Sequence, residues 1–367
     1  MDKRISDIFK AMDKINPDGD FLSNNSLSSV TEWIDTGSMA LNAIISGSLY
    51  KGVPSGRIIG LVGNSGTGKS LIINKIIANF LKKDPENFAV VWDSEGAQDE
   101  KIAAAVGADV NRFKVYPVNT VEATRNQIAR FLDSIIENKL EGKFILAIDS
   151  LGNLAAEKEL TDIDKDKSAA DMGGRSKAIK SLMRTLTYKA AKAKTTILFT
   201  NHIYADPAAM YPSLIQNQSG GKGPVYLASV LIQLASRQEK SEDETGSDII
   251  PIANKVNGVA LSAMTVKNRF VPPFLKTELY LNFQKGLDQR KGLIQMAQDF
   301  GVIQSSGPSW ILPGDNNRSI GYKKDWEKDD KLWNTVILPA LENKLNQALG
   351  YSQESIDDEI ETTDDSD

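Results

Sequence analysis

The stretch RIIGLVGNSGTGKS, residues 57–70, passes from a buried-strand pattern through a glycine-rich turn into the start of a helix. Its second half fits G-x-x-x-x-G-K-[ST], where glycines let backbone N–H groups curve round a phosphate without a Cβ clash. The helix that follows presents its positive end to the same anion. In this pattern Lys69 reaches the β- and γ-phosphates, and the Ser70 hydroxyl is a ligand of Mg²⁺. The stretch therefore predicts a P-loop nucleoside-triphosphate site formed by Gly63, Asn64, Ser65, Gly66, Thr67, Gly68, Lys69 and Ser70.

Apolar runs alternate with helical patterns on both sides of the P-loop. Strands that alternate with helices imply right-handed crossovers and a mostly parallel sheet, which is an α/β fold. Three later β-rich segments, 227–236, 257–267 and 276–284, are more typical of hairpin additions to that sheet. Besides residues 57–63, the predicted strands are 87–95 (NFAVVWDSE), 113–118 (FKVYPV), 143–150 (KFILAIDS) and 195–201 (TTILFTN). One predicted helix starts near residue 69, and the others span residues 98–106, 120–139 and 174–193.

Carboxylates stand where two of these strands end. Asp149 closes FILAID at the sheet edge that also holds the P-loop, which is the Walker B position for Mg²⁺; a capping or turn aspartate is the alternative. Glu95 ends VVWDSE, where a carboxylate can orient and deprotonate a water in line with the γ-phosphate. Asp93 faces the same way, but Glu95 lies further out, so we favour Glu95 as the base over a purely structural acid. At this point a triphosphatase and a kinase are both compatible with the residues.

The composition is that of a globular protein of 367 residues with a net charge of −5. This charge argues against a generally basic nucleic-acid coat, although a local basic track is compatible with it. The chain has no cysteine, which excludes disulfides and thiolate metal sites. Its first residues lack the unbroken apolar core of a signal peptide, and no apolar run approaches the ~20 residues that span a bilayer.

Patterning along the chain predicts four parts. An apolar stripe at i, i+3, i+4 and i+7 indicates a short helix at the start, with Ile5, Ile8, Phe9 and Met12 on one face. The final residues are acidic and nearly free of large apolar groups, so we expect them to be disordered. The predicted parts are a helical arm with its linker (1–30), a core (31–287), a small C-terminal domain of helices and turns (288–350) and an acidic tail (351–367).

Taken together, these segments resemble the RecA family of recombinases. Residues 34–70 are similar to that family's approach to the P-loop, with a serine-glycine turn and then a glycine- and proline-containing turn before the strand. WDSEGA (92–97) and LAIDSLGNLAAEKE (146–159) are most similar to the tailed-phage UvsX-type branch. KGLDQRKGLI (285–294) resembles the glycine-framed turn before the family's C-terminal domain. The resemblance covers residues 30 to about 300 and weakens beyond them.

The resemblance implies an ATP-dependent DNA recombinase with a RecA-like P-loop core. ATP-bound protomers of that family form a helical filament on single-stranded DNA, pair it with homologous duplex DNA and exchange strands. ATP and Mg²⁺ are then expected between protomers, with Glu95 as the catalytic carboxylate and hydrolysis loosening the DNA. Further expected partners are a single-strand-binding protein and a recombination mediator, and no membrane partner is expected. The expected location is the cytoplasm of a bacterial host, if a phage encodes the chain.

His202, the only histidine, stands at the root of a loop of more than twenty residues. The family places a γ-phosphate sensor here, and UvsX-type members have histidine where many bacterial members have glutamine. The resemblance thus implies that His202 contacts the γ-phosphate and orders the loop with it, as in other switch loops. A half-buried histidine satisfied by a backbone carbonyl is the alternative.

The resemblance also places two DNA-binding loops, the second after His202 and the first at TDIDKDKSAADMGG (161–174). The helix after the first loop carries cations at i, i+3 and i+7, hence on one face, for which a solvated basic face is the alternative. Phosphate contacts by these groups would be sequence-tolerant and salt-sensitive. The DNA-binding residues implied in this way are Met172, Gly173, Arg175, Lys177, Lys180, Arg184, Gly220, Gly221 and Lys222.

VKNRF (266–270) presents Lys267 and Arg269 on one face of a strand. The family uses this pair to reach ATP bound by the neighbouring protomer, which makes hydrolysis conditional on assembly. An edge strand protected by charge is the alternative. Ile102 stands where relatives often carry a tyrosine that stacks on adenine, so Phe283 or a residue of the neighbour is the candidate for contact with the base.

Other functions account for parts of this pattern. A ring helicase shares the core, but the early helix is too short for a helicase's separate N-terminal domain. An ATP-switched DNA-binding loader without strand exchange does not need Glu95, and a small-molecule kinase has no use for the long loop and paired cations. The arm is expected to dock on the next protomer, or alternatively to pack on its own core. The tail is expected to aid solubility, with competition for the basic track or contact with loader proteins as alternatives.

Overall fold

The computed structural model describes residues 2–21, 23, 27, 29–164, 172–204, 217–237, 258–282 and 286–350. The acidic tail, Phe283 and most of both predicted DNA loops lie outside these described residues. Within the described ranges, no helix is long and apolar enough to cross a membrane.

The apolar stripe at the start of the chain lies on helix α1 (Lys3–Ile15). Asp2 caps the helix, because its carboxylate accepts the backbone N–H of Arg4 at 2.9 Å. No residue of α1 is buried. The large apolar side chains that it leaves between 43% and 77% exposed are Ile5, Ile8, Phe9, Met12 and Ile15. The described structure therefore leaves the apolar face of α1 open rather than packed on the chain's own core.

Strands and helices then alternate through the core, as the sequence predicts. Four of the five central strands are buried apolar runs, and the fifth, Phe113–Pro117, is largely exposed. In chain order these elements are β1 (Trp33–Ile34), α2 (Met39–Ser46), β2 (Val53–Pro54), β3 (Ile58–Gly63), α3 (Lys69–Lys83), β4 (Phe88–Asp93), α4 (Glu100–Ala105), β5 (Phe113–Pro117), α5 (Val121–Glu137), β6 (Phe144–Asp149), α6 (Glu157–Asp164), α7 (Met172–Lys192) and β7 (Thr196–Asn201).

The described residues in the second half of the core are mostly in strands, and they include one short helix. Its elements are β8 (Ile203–Tyr204), β9 (Asn217–Gln218), α8 (Gly223–Leu227), β10 (Val230–Arg237), β11 (Gly258–Asn268), β12 (Lys276–Asn282) and β13 (Gly286–Leu287).

A nine-stranded sheet forms the centre, in the order β13-β12-β11-β10-β3-β7-β6-β4-β5. Neighbouring strands from β10 to β5 are parallel. The pairs β10–β11, β11–β12 and β12–β13 are antiparallel. The predictions of a mostly parallel α/β sheet and of later hairpin additions are confirmed. Because the parallel strands run the same way, the ends of β3, β4, β6 and β7 meet at one edge of the sheet.

Apolar clusters cover both faces of the sheet. Strand β3 shows the division, since Ile59 and Leu61 face one cluster while Ile58 and Val62 face the other, as a two-residue period requires. Helices α2 and α3 pack in the first cluster, and α5 and α7 pack in the second. The sheet is thus buried on both sides, which fixes the relative positions of the strand ends.

The C-terminal part contains a sheet that the sequence did not predict. Its three strands have three or four residues each and are joined by tight turns, so they show too few periods to be distinguished from turns. The elements are α9 (Leu293–Asp299), β14 (Gln304–Ser306), β15 (Ser309–Leu312), β16 (Arg318–Gly321), α10 (Lys323–Trp326), α11 (Asp330–Leu332), a π-helical turn (Trp333–Ile337) and α12 (Leu338–Leu349). The expectation of helices and turns for residues 288–350 was therefore incomplete.

This C-terminal part is attached to the P-loop core by shared packing. Trp326, Trp333 and Leu341 belong to the same apolar cluster as α2 and α3. The Glu342 carboxylate accepts the Ser48 hydroxyl at 2.6 Å and the Leu49 N–H at 2.7 Å. The two parts therefore share one core, with hydrogen bonds at its margin.

Candidate active site

The P-loop connects the end of β3 to the start of α3. Gly66 and Gly68 have φ angles of +78° and +72°, in the left-handed region that favours glycine. At Gly68 a Cβ would also overlap the side chain of Leu281. The loop therefore needs glycine at position 68, where the pattern has it, and favours glycine at position 66, which the pattern leaves open. Its backbone N–H groups and the N-terminus of α3 form a cradle that suits a phosphate.

Lys69 points back into this loop. The side chain is buried, and Nζ donates to the carbonyl oxygens of Gly63 at 3.1 Å and Asn64 at 2.8 Å. Burial lowers the pKa of Lys69, whereas the charges of Glu95 and Asp149 oppose that change. The ammonium group is thus held by neutral carbonyls at close range, and phosphate oxygens would be stronger acceptors for it. These residues fit a nucleoside triphosphate.

Asp149 lies at the end of β6, against the start of α3. Its Oδ1 accepts the Thr200 hydroxyl at 2.5 Å, and its Oδ2 accepts the Gln98 amide at 2.9 Å. The Ser70 hydroxyl also hydrogen-bonds this carboxyl. Burial raises the pKa of Asp149, and the hydrogen bonds from Thr200 and Ser70 act in the opposite direction.

This adjacent hydroxyl and carboxylate are the two ligands predicted for a metal ion. Among the described residues there is no group of three or more acidic, histidine or cysteine side chains that could hold one. Mg²⁺ suits the smaller set, because it usually takes one or two protein oxygens and completes its shell with water and phosphate. The pair formed by Ser70 and Asp149 therefore fits Mg²⁺ in the presence of a nucleotide.

Asp93 and Glu95, both near the end of β4, have different environments. Asp93 is buried and accepts three backbone N–H groups, from Glu95 at 2.9 Å, Gly96 at 2.9 Å and Gln98 at 3.1 Å. It therefore fixes the turn after the strand. Glu95 projects from that turn with its side chain 28% exposed. This geometry leaves Glu95 the more available of the two, and its catalytic role stays a prediction.

One oxygen of Glu95 contacts two polar side chains. Oε1 lies 3.2 Å from Nε2 of His202 and 2.9 Å from Nδ2 of Asn153. The Asn153 amide donates in the second contact, and His202 donates in the first when its proton is on Nε2. The structure thus brings the predicted base and the predicted phosphate sensor together beside the P-loop.

The root of the long loop is closed by a short ladder. Ile203 pairs with Gln218 and Tyr204 with Asn217, which joins β8 to β9 across the undescribed residues 205–216. The buried Asn201 donates to the Ser219 carbonyl at 2.9 Å. His202 is therefore tied directly to the base of the loop that follows it.

The predicted cation face is present on α7. Lys177, Lys180 and Arg184 are exposed. Ile179 and Leu182 are buried between them on the opposite side. In the described part of the chain no carboxylate forms an ion pair with any of these three cations. Their positive charge is therefore available to a polyanion.

The return of the long loop packs on this same helix. Gly220 and Gly221 have φ angles of +84° and +74°. A Cβ at Gly220 would overlap Ile179, and one at Gly223 would lie 3.3 Å from the backbone of Lys180. Lys222, between these glycines, is exposed. The two segments predicted to bind DNA are thus neighbours in space, although binding itself stays a prediction.

Arg175 has a different orientation from the exposed cations. Its Nε donates to the Leu154 carbonyl at 2.7 Å, and its terminal guanidinium nitrogen donates to the Gly152 carbonyl. Its donors therefore hold the turn after β6 in this structure. Met172 and Gly173 form the first turn of α7, directly after the undescribed part of the first loop.

Lys267 and Arg269 lie away from the P-loop of their own chain. Lys267 pairs with Leu231, which pairs in turn with Gly60, whereas the P-loop starts at Gly63. Three strand residues span about 10 Å, and Arg269 lies further in the same direction. The pair is therefore displaced toward the opposite edge of the sheet from the chain's own phosphate cradle.

Several residues of this site carry no motif. Sequence reasoning missed Gln98 and Thr200 on Asp149, Asn153 on Glu95, and Ser219 at the base of the loop. Thr200 is the last residue but one of β7, and Asn153 lies four residues after the end of β6. Their polar side chains near strand ends are the sequence signal that could have placed them at this site. Ile102 lies on α4 and is 48% exposed.

The fold and the site define a P-loop α/β protein. The sheet edge that holds its P-loop adjoins the two predicted DNA-binding segments, which carry exposed cations. The profile of the RecA N-terminal domain family matches residues 3–288. The chain belongs to the RecA family, and the family prediction made from its motifs is confirmed.

Individual relatives agree with this assignment. The "Recombination and repair protein" of Enterobacteria phage T4 is 28% identical over 308 residues, which cover 83% of this chain and 74% of the relative. "Protein RecA" of Lactobacillus johnsonii is 27% identical over 325 residues, covering 89% and 82%. "Protein RecA" of Bacteroides thetaiotaomicron is 28% identical over 319 residues, covering 87% and 88%.

The metal pair can be tested with Asp149→Asn. This change removes the charge but keeps an acceptor for Thr200, so we expect the fold to persist while Mg²⁺ no longer strengthens nucleotide binding. In titrations with a fluorescent ATP analogue, affinity in Mg²⁺ should fall by about tenfold, which is ~1.4 kcal/mol. Affinity in EDTA should stay close to wild type. Asp109→Asn, which alters an exposed cap, is the matched control. Full Mg²⁺ dependence in the Asp149 variant would contradict the assignment.

Proposed function

We propose that this chain is a DNA-dependent ATPase and recombinase, which forms helical filaments on single-stranded DNA and pairs and exchanges homologous strands. The observation that carries this proposal is the contact between His202 and Glu95, at 3.2 Å, because it joins the nucleotide edge to the root of the predicted second DNA loop. The printed names of the relatives, a recombination and repair protein and RecA, support the same function.

The nucleotide chemistry is assigned to residues at one sheet edge. Lys69 and the P-loop N–H groups bind the phosphates of ATP, while Ser70 and Asp149 hold Mg²⁺. When bound, Mg²⁺ offsets the charge on the phosphate oxygens. Glu95 orients a water and takes its proton as the water attacks. His202 donates toward the γ-phosphate.

DNA is bound by charge rather than by sequence. The exposed cations of α7, together with Lys222 and the N–H groups of Gly220 and Gly221, contact the phosphate backbone, which releases counterions. Such contacts tolerate any sequence, so specificity comes from base pairing between the bound strand and the duplex. The partners that this function needs are single-stranded DNA, homologous duplex, a single-strand-binding protein and a mediator, in a bacterial cytoplasm.

Assembly supplies the missing part of the site. Lys267 and Arg269 lie too far from their own P-loop to serve it, so their charges act on ATP held by the adjacent protomer. The exposed apolar face of α1 suits docking on that same neighbour. Hydrolysis therefore requires contact between protomers.

Electron microscopy tests the function directly. With single-stranded DNA, Mg²⁺ and a non-hydrolysable ATP analogue, the chain should form open helical filaments, and it should form none without nucleotide. Removal of residues 1–15 should abolish them by deleting the docking helix. Closed rings would contradict the proposal and favour a helicase.

The pH dependence of ATP hydrolysis tests whether Lys267 acts as a cation on ATP bound by the neighbouring protomer. Burial lowers the pKa of Lys267 to about 8, and the charge of Arg269 adds to the effect. The ammonium form is therefore present below pH 8 and lost above it. With single-stranded DNA, kcat/KM for ATP should fall by up to about tenfold per pH unit above 8.

Lys267→Arg supplies the comparison for this prediction. Arginine stays charged across this range, so the fall above pH 8 should be absent in the variant even if its overall rate is lower. An identical decline in both proteins would mean that another group titrates.

A further inference from the structure

A short turn after β6 contacts the predicted base and both predicted DNA segments. It spans Leu151–Asn153, with Leu151 and Gly152 buried and Asn153 exposed beside Glu95. The Asn153 amide donates to Glu95 Oε1 at 2.9 Å. This is shorter than the contact of His202 with the same oxygen, at 3.2 Å.

The other side of the turn is held by two hydrogen-bond donors. The Gly152 carbonyl accepts the Ser219 hydroxyl at 3.2 Å and also the guanidinium group of Arg175. Arg175 lies just after the first predicted DNA loop, and Ser219 lies where the second one returns. A Cβ at Gly152 would come within 2.7 Å of Asn201 Oδ1, so the turn fits tightly against the end of β7.

We propose that Asn153 is a positioning residue for Glu95, and that the turn Leu151–Asn153 couples the DNA segments to this carboxylate. The inference rests on the proposed function, in which Glu95 is the base. Both donors act on Oε1, which leaves Oε2 to accept a proton from water. A misplacement of about 1 Å in such a group can lower the rate 100-fold, so loss of the Asn153 amide should slow ATP hydrolysis.

The two donors on Oε1 have different roles. In the proposed mechanism His202 turns toward the γ-phosphate, and its contact with Glu95 is then given up. Asn153 keeps its contact with Glu95 when His202 turns away, because its own turn is held by Arg175 and Ser219 rather than by the nucleotide. The amide therefore positions Glu95 while ATP is hydrolysed. A shift of either DNA segment displaces Arg175 or Ser219, and the turn passes that displacement on to Glu95.

Asn153→Ala tests the positioning role. We expect kcat for ATP hydrolysis with single-stranded DNA to fall by roughly tenfold or more. The KM for ATP and the affinity for a non-hydrolysable analogue should stay within about twofold. Asn138→Ala is the matched control, since within the described residues this exposed amide donates to the Ser134 carbonyl of its own helix and to no other group. The control should behave as wild type.

Asn153→Asp tests the same role through the pH profile of kcat, which would not change if Asn153 were only structural. In this variant a second carboxylate stands beside Glu95, and repulsion between the two negative charges makes the pair harder to ionise. The acidic limb of the pH profile of kcat should therefore shift to higher pH relative to wild type. An unshifted limb would show that position 153 does not face the base during hydrolysis, and would overturn the positioning role.

Ser219→Ala tests the coupling. Loss of one donor to the Gly152 carbonyl should lower the ratio of kcat with DNA to kcat without it. An unchanged ratio would overturn the coupling, and a wild-type kcat in Asn153→Ala would overturn the positioning role. The failure of the proposed function looks different. If DNA does not stimulate the wild type, that function fails, while the Asn153 variants still test positioning on the unstimulated rate.

Discussion

The common end of four parallel strands is the constraint on which the site depends. Strand β3 leads into the P-loop, β4 into the turn that carries Glu95, β6 ends at Asp149, and β7 leads into His202. Because the sheet is hydrogen-bonded throughout and covered on both faces, these groups cannot move apart independently. Burial at this edge has an electrostatic cost, seen in the lowered pKa of Lys69 and the raised pKa of Asp149, and the charge of Glu95 adds to the rise at Asp149. In the proposed function, phosphate and Mg²⁺ offset that cost when they bind.

The same sheet separates the two halves of the proposed chemistry. Lys267 near the end of β11 and Arg269 just after that strand lie toward the edge opposite the P-loop. Burial lowers the pKa of Arg57 there, and the charge of Arg269 lowers it further. In the proposed function these cations act on ATP held by a neighbouring protomer, so the assembly completes a site of which the monomer holds only part.

Local patterns predicted much of this structure. The P-loop, the parallel strands, α1 and the cation face of α7 each follow from a motif or a period within a few residues. The contacts that tune the site were not predictable in this way, because they join distant segments. Asn153 meets Glu95 across 58 positions, and Gln98 meets Asp149 across 51. Arg175 shows the same limit, since its place after the first loop indicated DNA while its donors point to backbone carbonyls. The small C-terminal sheet was missed because its strands are too short to show a period.

The central claim is that the γ-phosphate of ATP, contacted by His202 beside Glu95, controls the affinity for single-stranded DNA. Fluorescence anisotropy of a labelled single-stranded oligonucleotide measures that affinity without nucleotide, with ADP and with a non-hydrolysable ATP analogue in Mg²⁺. The account predicts tight binding only with the analogue, and similar weak binding under all three conditions when His202 is replaced by alanine. Equally tight binding by the wild-type chain under all three conditions would contradict it.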